Sequence, residues 1–287
     1  MNGETLLRVE NLQAYYGKSH VLHGVDLTVG RGEIVSLLGR NGEGKSSLIK
    51  IIHGSLAPDS GEIARQQGLR IGMLEQEVPG DMPGTVFDVV AGGITGLGAL
   101  VAEYHAVSIR MQTDYDENLT RRLGELQHQL ELKGGWQIEQ KIASVISRLG
   151  LPADELFATL SAGLKRRTML GRALVRQPEL LLLDETCAGL NPKESEAAID
   201  LIKRIRDAGV TIIIIEHIMK VMMGISDRIS VLDYGTKIAE GNAAEIQANP
   251  RVIEAYLGPG GAALSEKYKK QRLSYWDILP TPPVLFY

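Results

Sequence analysis

The residues that invite a chemical reading first are those of GRNGEGKSS, where Gly39 to Ser46 carry the spacing G-x-x-x-x-G-K-S directly after the apolar run IVSLL. Gly39, Gly42 and Gly44 allow backbone N–H groups to curl around phosphate oxygens. Lys45 supplies a point charge, and the Ser46 hydroxyl is of the kind that reaches magnesium. The helix expected in SSLIKIIHG aims its positive end at the same anion. A phosphate loop needs a carboxylate to order magnesium and a group to activate water. LLLLDE offers both: Asp184 at the end of an apolar run, and Glu185, which can orient or deprotonate the attacking water or be an ordinary surface carboxylate. His217, ending TIIIIEH, is either a hydrogen-bond donor to a terminal phosphate or structural. Gln76 in IGMLEQ carries an amide that can serve metal and water. LSAGL at 160–164 opens the basic stretch KRRTMLGRALV, so Ser161 caps a helix whose N-terminus is either an anion site or an ordinary start.

These groups must be held by a sheet. IVSLL, LLLL (180–183) and TIIII (211–215) are apolar without alternation, as expected of parallel strands buried on both faces. The polar residues that follow each run then fall at the carboxyl edge of the sheet, where open α/β folds bind ligands. Between Asp114 and Leu151 the pattern changes to helical spacing: Leu119, Leu123, Leu126 and Leu130, a break at Gly134 and Gly135, then Ile138, Ile142, Val145 and Leu149. This predicts a self-packed helical hairpin inserted in an α/β domain. GPGG at 258–261 marks a boundary, and the tail to Tyr287 is either a docking strip or disorder.

The bulk composition narrows the class. A formal net charge of -4 argues against a general nucleic-acid binder, and the basic stretches at 165–167 and 267–272 read as solvated faces. The single cysteine, Cys187, permits no internal disulfide and fits a reducing compartment. The N-terminus lacks the order of a signal peptide, and the apolar stretch from Ala91 to Ala102 is shorter than the roughly 20 residues of a membrane helix. A soluble cytoplasmic chain is expected, with any membrane role exercised through a partner.

In order, Tyr16, GRNGEGKSS, Gln76, LSAGL, LLLLDE, AGLNP and His217 resemble the ATP-binding cassette (ABC) ATPases, over residues 5 to 258. The resemblance implies a P-loop α/β core with an N-terminal antiparallel β-subdomain and a helical subdomain at about 78–174. Residues 1–258 would form the ATPase domain and 259–287 a tail. It implies ATP and Mg2+, with Tyr16 stacked on adenine and with Gly39, Asn41, Gly42, Gly44, Lys45, Ser46, Ser47, Ser161 and Gly163 around the nucleotide. It assigns Ser46, Gln76 and Asp184 to the metal, and Lys45, Gln76, Glu185 and His217 to hydrolysis. LSAGL would be the signature motif and Ala188 to Pro192 the D-loop. Each ATP would lie between the phosphate loop of one subunit and the signature of the other, in a head-to-tail homodimer or a heterodimer with another ABC ATPase.

The chain looks mosaic. LLRVENLQAYYGKSHVLHGVDLTV, the stretch from AGLNPKESEAAIDLIKRIRDAG through VLDYGTKIAEG, and NPRVIEAYLG are similar to ATPase subunits of branched-chain amino-acid importers. GRNGEGKSSLIKIIHGSLAPDSGEI, RIGMLEQE and the hairpin are similar to ABC-F proteins, which act on ribosomes. Departures from the family pattern are Thr186 for proline, Ser47 for threonine, Ala162 for glycine and Leu164 for glutamine, the last two expected to weaken the signature. Three roles follow: a transporter subunit docked on transmembrane permeases, which the D-loop and C-terminus favour; an ABC-F-like factor on the ribosome; or a recombined cassette with no native partner. No specific DNA is expected as a partner.

Overall fold

The three apolar runs form the middle of a six-stranded sheet, and every residue in them is buried. The computed structural model describes residues 4–76, 79–80, 82–114, 116–185, 192–216 and 219–257. The chain divides into two compact units, a sheet unit formed by Met1–Gln76 with Glu179–Tyr287 and a helical unit formed by Glu77–Pro178.

In the sheet unit, β1 (Thr5–Tyr16), β2 (Ser19–Gly30) and β4 (Ser60–Arg65) form an antiparallel sheet in the order β2-β1-β4. Alternation along β1 and β2 puts Leu7, Val9, Leu12, Leu22, Val25, Leu27 and Val29 on one buried face, the period of two expected of a half-covered sheet. The second sheet runs β5-β6-β7-β3-β8-β9. Its strands are β3 (Ile34–Leu38), β5 (Ile71–Leu74), β6 (Leu180–Asp184), β7 (Thr211–Ile215), β8 (Arg228–Asp233) and β9 (Thr236–Gly241). All pairs are parallel except the β8–β9 hairpin. Helix α1 (Lys45–His53) packs Leu48, Ile49, Ile51 and Ile52 into the larger core, with Val35, Leu37, Leu182 and Ile213. A smaller core joins Leu38, Ile229 and Val231 to Ile246 and Val252, which lie on α9 (Ala243–Ala248) and α10 (Pro250–Leu257). Helices α7 (Pro192–Asp207) and α8 (Met219–Ile225) complete this unit.

The helical unit contains α2 (Val86–Ala91), α3 (Leu97–Thr113), α4 (Glu117–Lys133), α5 (Gly135–Leu149) and α6 (Ala162–Leu174). Thr85 and Asp88 close a capping box at the start of α2, and Asp116 caps α4. The break between α4 and α5 is a single residue, Gly134, at φ 68°. The expectation of a self-packed hairpin needs correcting, because α5 also packs on α2, α3 and α6. A Cβ added at Gly171 of α6 would stand 3.1 Å from Leu149 and 3.3 Å from Val90, so α6 meets α5 and α2 closely. The hairpin is therefore part of this unit's core. Among the described residues no helix is long and apolar enough to cross a membrane.

Candidate functional site

The carboxyl ends of β3 and β6 bring the phosphate-loop residues and the two carboxylates together. After Leu38 the chain leaves the sheet at Gly39 and turns through exposed Asn41 and Gly42 into α1. Gly44 is fixed by geometry. Its φ is +86°, and a Cβ there would lie 2.6 Å from Leu22 Cδ2 and 2.7 Å from the Val21 carbonyl, so only glycine fits. It also serves as N-cap of α1 with no side chain to occupy the first N–H groups, which leaves that end of the helix for an anion.

Lys45 is buried, and its ammonium donates to the carbonyls of Gly39 at 2.9 Å and Arg40 at 2.7 Å. Burial lowers its pKa from the usual lysine value, against the opposing pull of Glu185, Glu43 and Asp184. Ser47 is buried, and its hydroxyl stands 3.5 Å from the Tyr16 hydroxyl, which brings that exposed ring to the loop. The neighbouring Tyr15 is engaged elsewhere, stacked on His20 with ring centroids 4.1 Å apart and planes at 5°.

Asp184 ends β6 at 4% exposure. Burial raises its pKa, opposed by a hydrogen bond from Ser46 and reinforced by the charge of Glu185. Its Oδ1 is buried with no hydrogen-bond partner. An orphaned carboxylate oxygen beside a serine hydroxyl is a hard oxygen pair of the kind magnesium takes, and a magnesium site of this type needs only one or two protein oxygens besides substrate phosphates. That is consistent with the described residues containing no cluster of three His, Cys, Asp or Glu able to hold a metal unaided.

Glu185 follows at φ 48°, a left-handed backbone for a non-glycine residue that costs on the order of 1–3 kcal/mol. Its N–H donates to the Ile215 carbonyl at 3.0 Å, and its Oε2 accepts from Gln76 Nε2 at 2.6 Å. Gln76, Asp184, Glu185, Lys45 and Ser46 are thus one constellation in the sheet unit. His217 and, of the expected D-loop from Ala188 to Pro192, residues Ala188 to Asn191 lie outside the described residues.

Ser161 and Gly163 belong to the helical unit. Ser161 caps α6, accepting from the Leu164 N–H at 3.4 Å. Ala162 is the first residue of α6 and has no left-handed backbone, so its Cβ brings no strain. The basic stretch behind it is only partly free: Lys165 donates to the Gly80 carbonyl at 3.0 Å and sits 5.6 Å from the centre of the Phe157 ring. Sequence reasoning passed over Arg40, Glu43 and Tyr256. Arg40 and Glu43 sit at the variable positions of the loop pattern, and Tyr256 lies far away in sequence, so no spacing marks them.

The family model for ABC transporters matches residues 22–188, and a second model, for branched-chain amino acid ATP-binding cassette transporters, matches residues 236–258. The high-affinity branched-chain amino acid transport ATP-binding protein LivG of Salmonella typhimurium is 34% identical over 273 residues, covering 89% of this chain and 98% of LivG. ATP-binding protein Uup of Haemophilus influenzae is 35% identical over 234 residues, covering 82% of this chain but 36% of Uup. This chain therefore spans well under half of that relative. Among solved structures, a nucleotide-free ATP-binding cassette from an ABC transporter superposes with a TM-score of 0.68 at 25% identity, covering 89% of this chain and 100% of that one. The cbiO1 protein of Clostridium perfringens, part of the ABC transporter complex cbiONQ, gives a TM-score of 0.65 at 25% identity, covering 91% and 99% of the two chains. With a phosphate loop on α1, a buried aspartate at the end of β6 and these relatives, the chain belongs to the ATP-hydrolysing ATP-binding cassette family of ABC transporters.

Proposed function

We propose that this chain is the ATP-driven subunit of an importer for branched-chain or similar amino acids, docked on transmembrane permease subunits at the inner face of the cell membrane. The observation that carries this is the likeness to LivG over nearly its whole length, within which lies a segment that a branched-chain amino acid cassette model matches. The LivG likeness spans 98% of that protein, and the 236–258 segment matches a model specific to branched-chain amino acid cassettes. In this reading two copies, or this chain and a second ABC ATPase, close head to tail on ATP, and Ser161 and Gly163 of one contact the γ-phosphate held by the other.

The proposed chemistry uses the constellation at β6. The loop amides and Lys45 hold the phosphates, and Tyr16 offers its exposed ring to adenine. Ser46, Asp184 and Gln76 would hold magnesium, which would offset phosphate charge. Water attacks the γ-phosphorus, its oxygen bonding there as the bond to the bridging oxygen of ADP breaks, and Glu185 takes the water proton. His217 is assigned a hydrogen bond to the γ-phosphate. Gln76, bonded to Glu185, ties the residue that receives the proton to the stretch leading into the helical unit.

A second reading, a ribosome-associated ATPase of ABC-F type, rests on the likeness to Uup over 82% of this chain. Affinity purification of the full chain under ATP separates the two. Co-purifying permease subunits support import, and ribosomal proteins in their place support the second reading.

A further inference from the structure

Tyr256 lies on α10, about 200 residues from the phosphate loop in sequence, and touches the loop's first two residues. Its ring packs in the smaller core with Leu38, the residue immediately before Gly39. Its hydroxyl is buried beside the Gly39 backbone, and its carbonyl accepts from Arg40 Nη2 at 3.0 Å. Burial holds the phenol well above its ordinary pKa, reinforced by Glu43 and Asp233 and opposed by Arg40, so it stays a neutral hydroxyl. Gly39 has little room to move elsewhere: a Cβ on it would meet the Leu232 carbonyl at 2.7 Å.

The two residues gripped from this side are the same two whose carbonyls hold the Lys45 ammonium. Gly39 and Arg40 are thus tied from the inside by Lys45 and from the outside by α10. A phosphate that draws Lys45 to itself removes the inner tie, and only the outer one then keeps the start of the loop in place. A loop already held in its binding form loses less freedom when it closes on a ligand, and so binds more tightly.

We propose that Tyr256 is a positioning residue for nucleotide binding, and that α10 braces the opening of the phosphate loop through Tyr256 and Arg40. The proposal rests on ATP occupying this loop. It gives the 236–258 segment, which the branched-chain cassette model matches, a task in the nucleotide site.

The test uses the full chain with Tyr256→Phe, which keeps the ring and removes the hydroxyl, and Arg40→Met, which keeps the length of an exposed side chain and removes its donors. Mg-ATP affinity, steady-state KM and kcat, and thermal midpoint are measured for each. Both variants are expected to raise Kd and KM by about fivefold, the size of one net hydrogen bond, with kcat and thermal midpoint close to the parent's. Unchanged Kd in Tyr256→Phe overturns the role of Tyr256, whether or not the midpoint falls, since a falling midpoint alone would mean ordinary packing. If Tyr256→Phe does not fold, Arg40→Met decides: a raised Kd supports the brace and an unchanged one overturns it. A parent that binds no ATP overturns the ATP reading together with the brace, whereas unchanged variants of an ATP-binding parent overturn the brace alone.

Discussion

Gln76 Nε2 donates to Glu185 Oε2 at 2.6 Å, joining a residue that follows β5 to one that follows β6 across adjacent parallel strands. Glu185 holds a left-handed backbone at this point, so its carboxylate is placed by strain in the main chain and by one side-chain donor. Gln76→Ala should lower ATP hydrolysis by about tenfold with little effect on ATP affinity. Because the two residues act as a unit, the double variant Gln76→Ala, Glu185→Gln should be no slower than Glu185→Gln alone. Steady-state phosphate release from the four proteins of the cycle checks this, and additive losses would separate the pair.

Lys45→Ala removes the inner hold on Gly39 and Arg40 and, in the proposed function, the charge that meets phosphate. ATP affinity should fall by about tenfold to a hundredfold, the range for a hydrogen bond to a charged group. Titration with a fluorescent ATP analogue in the presence of magnesium is sufficient, and an unchanged Kd would remove the phosphate loop from the site.

The raised pKa of Asp184 has a stability consequence whose sign is fixed. The folded chain holds that proton more tightly than the unfolded chain does. The resulting stabilisation is complete below the ordinary value of 3.8 and is lost as pH rises through the raised one. At neutral pH the buried carboxylate therefore costs stability. Asp184→Asn should stabilise the protein at neutral pH by about 1 kcal/mol when neither nucleotide nor divalent cation is present. That gain should vanish as pH falls below the carboxylate range, and activity should be lost throughout. Thermal midpoints of both proteins across a pH series measure it.

At the start of α6, where the resemblance would place a signature glycine, the helical backbone of Ala162 removes the reason to restore it. Ala162→Gly should destabilise the helical unit by up to about 1 kcal/mol without raising ATPase activity. Leu164→Gln, which supplies a polar side chain, should account for any gain in turnover at saturating ATP. Comparing the single variants with the double one assigns the effect.

The parts of this molecule that were legible in its sequence are those in which one residue type has a single physical use. IVSLL, LLLL and TIIII read as strands buried on both faces because they have no polar side to turn outward, and all of their residues are buried. The glycine and lysine spacing at Gly39 to Ser46 located the loop because Gly44 tolerates nothing larger. The helical periodicity also located α4 and α5, with Leu126, Leu130, Ile142 and Leu149 buried. It did not say what buries them, and the packing of α5 on α2, α3 and α6 overturned the self-packed hairpin. The contact of Tyr256 with the loop was not legible because it depends on how β8, β9 and α10 return to β3. The left-handed backbone of Glu185 gave no sign either, since a glutamate is not a residue that announces it.

The most direct test of the central claim, that this constellation hydrolyses ATP with Glu185 receiving the proton from water, is phosphate release from Mg-ATP by the full chain beside its Glu185→Gln variant, with ATP binding measured on the same samples. The account predicts turnover by the parent, and a variant slowed by about a hundredfold to ten-thousandfold that still binds ATP as tightly and accumulates as a dimer by light scattering. A variant that binds ATP and turns it over at the parent's rate would contradict it.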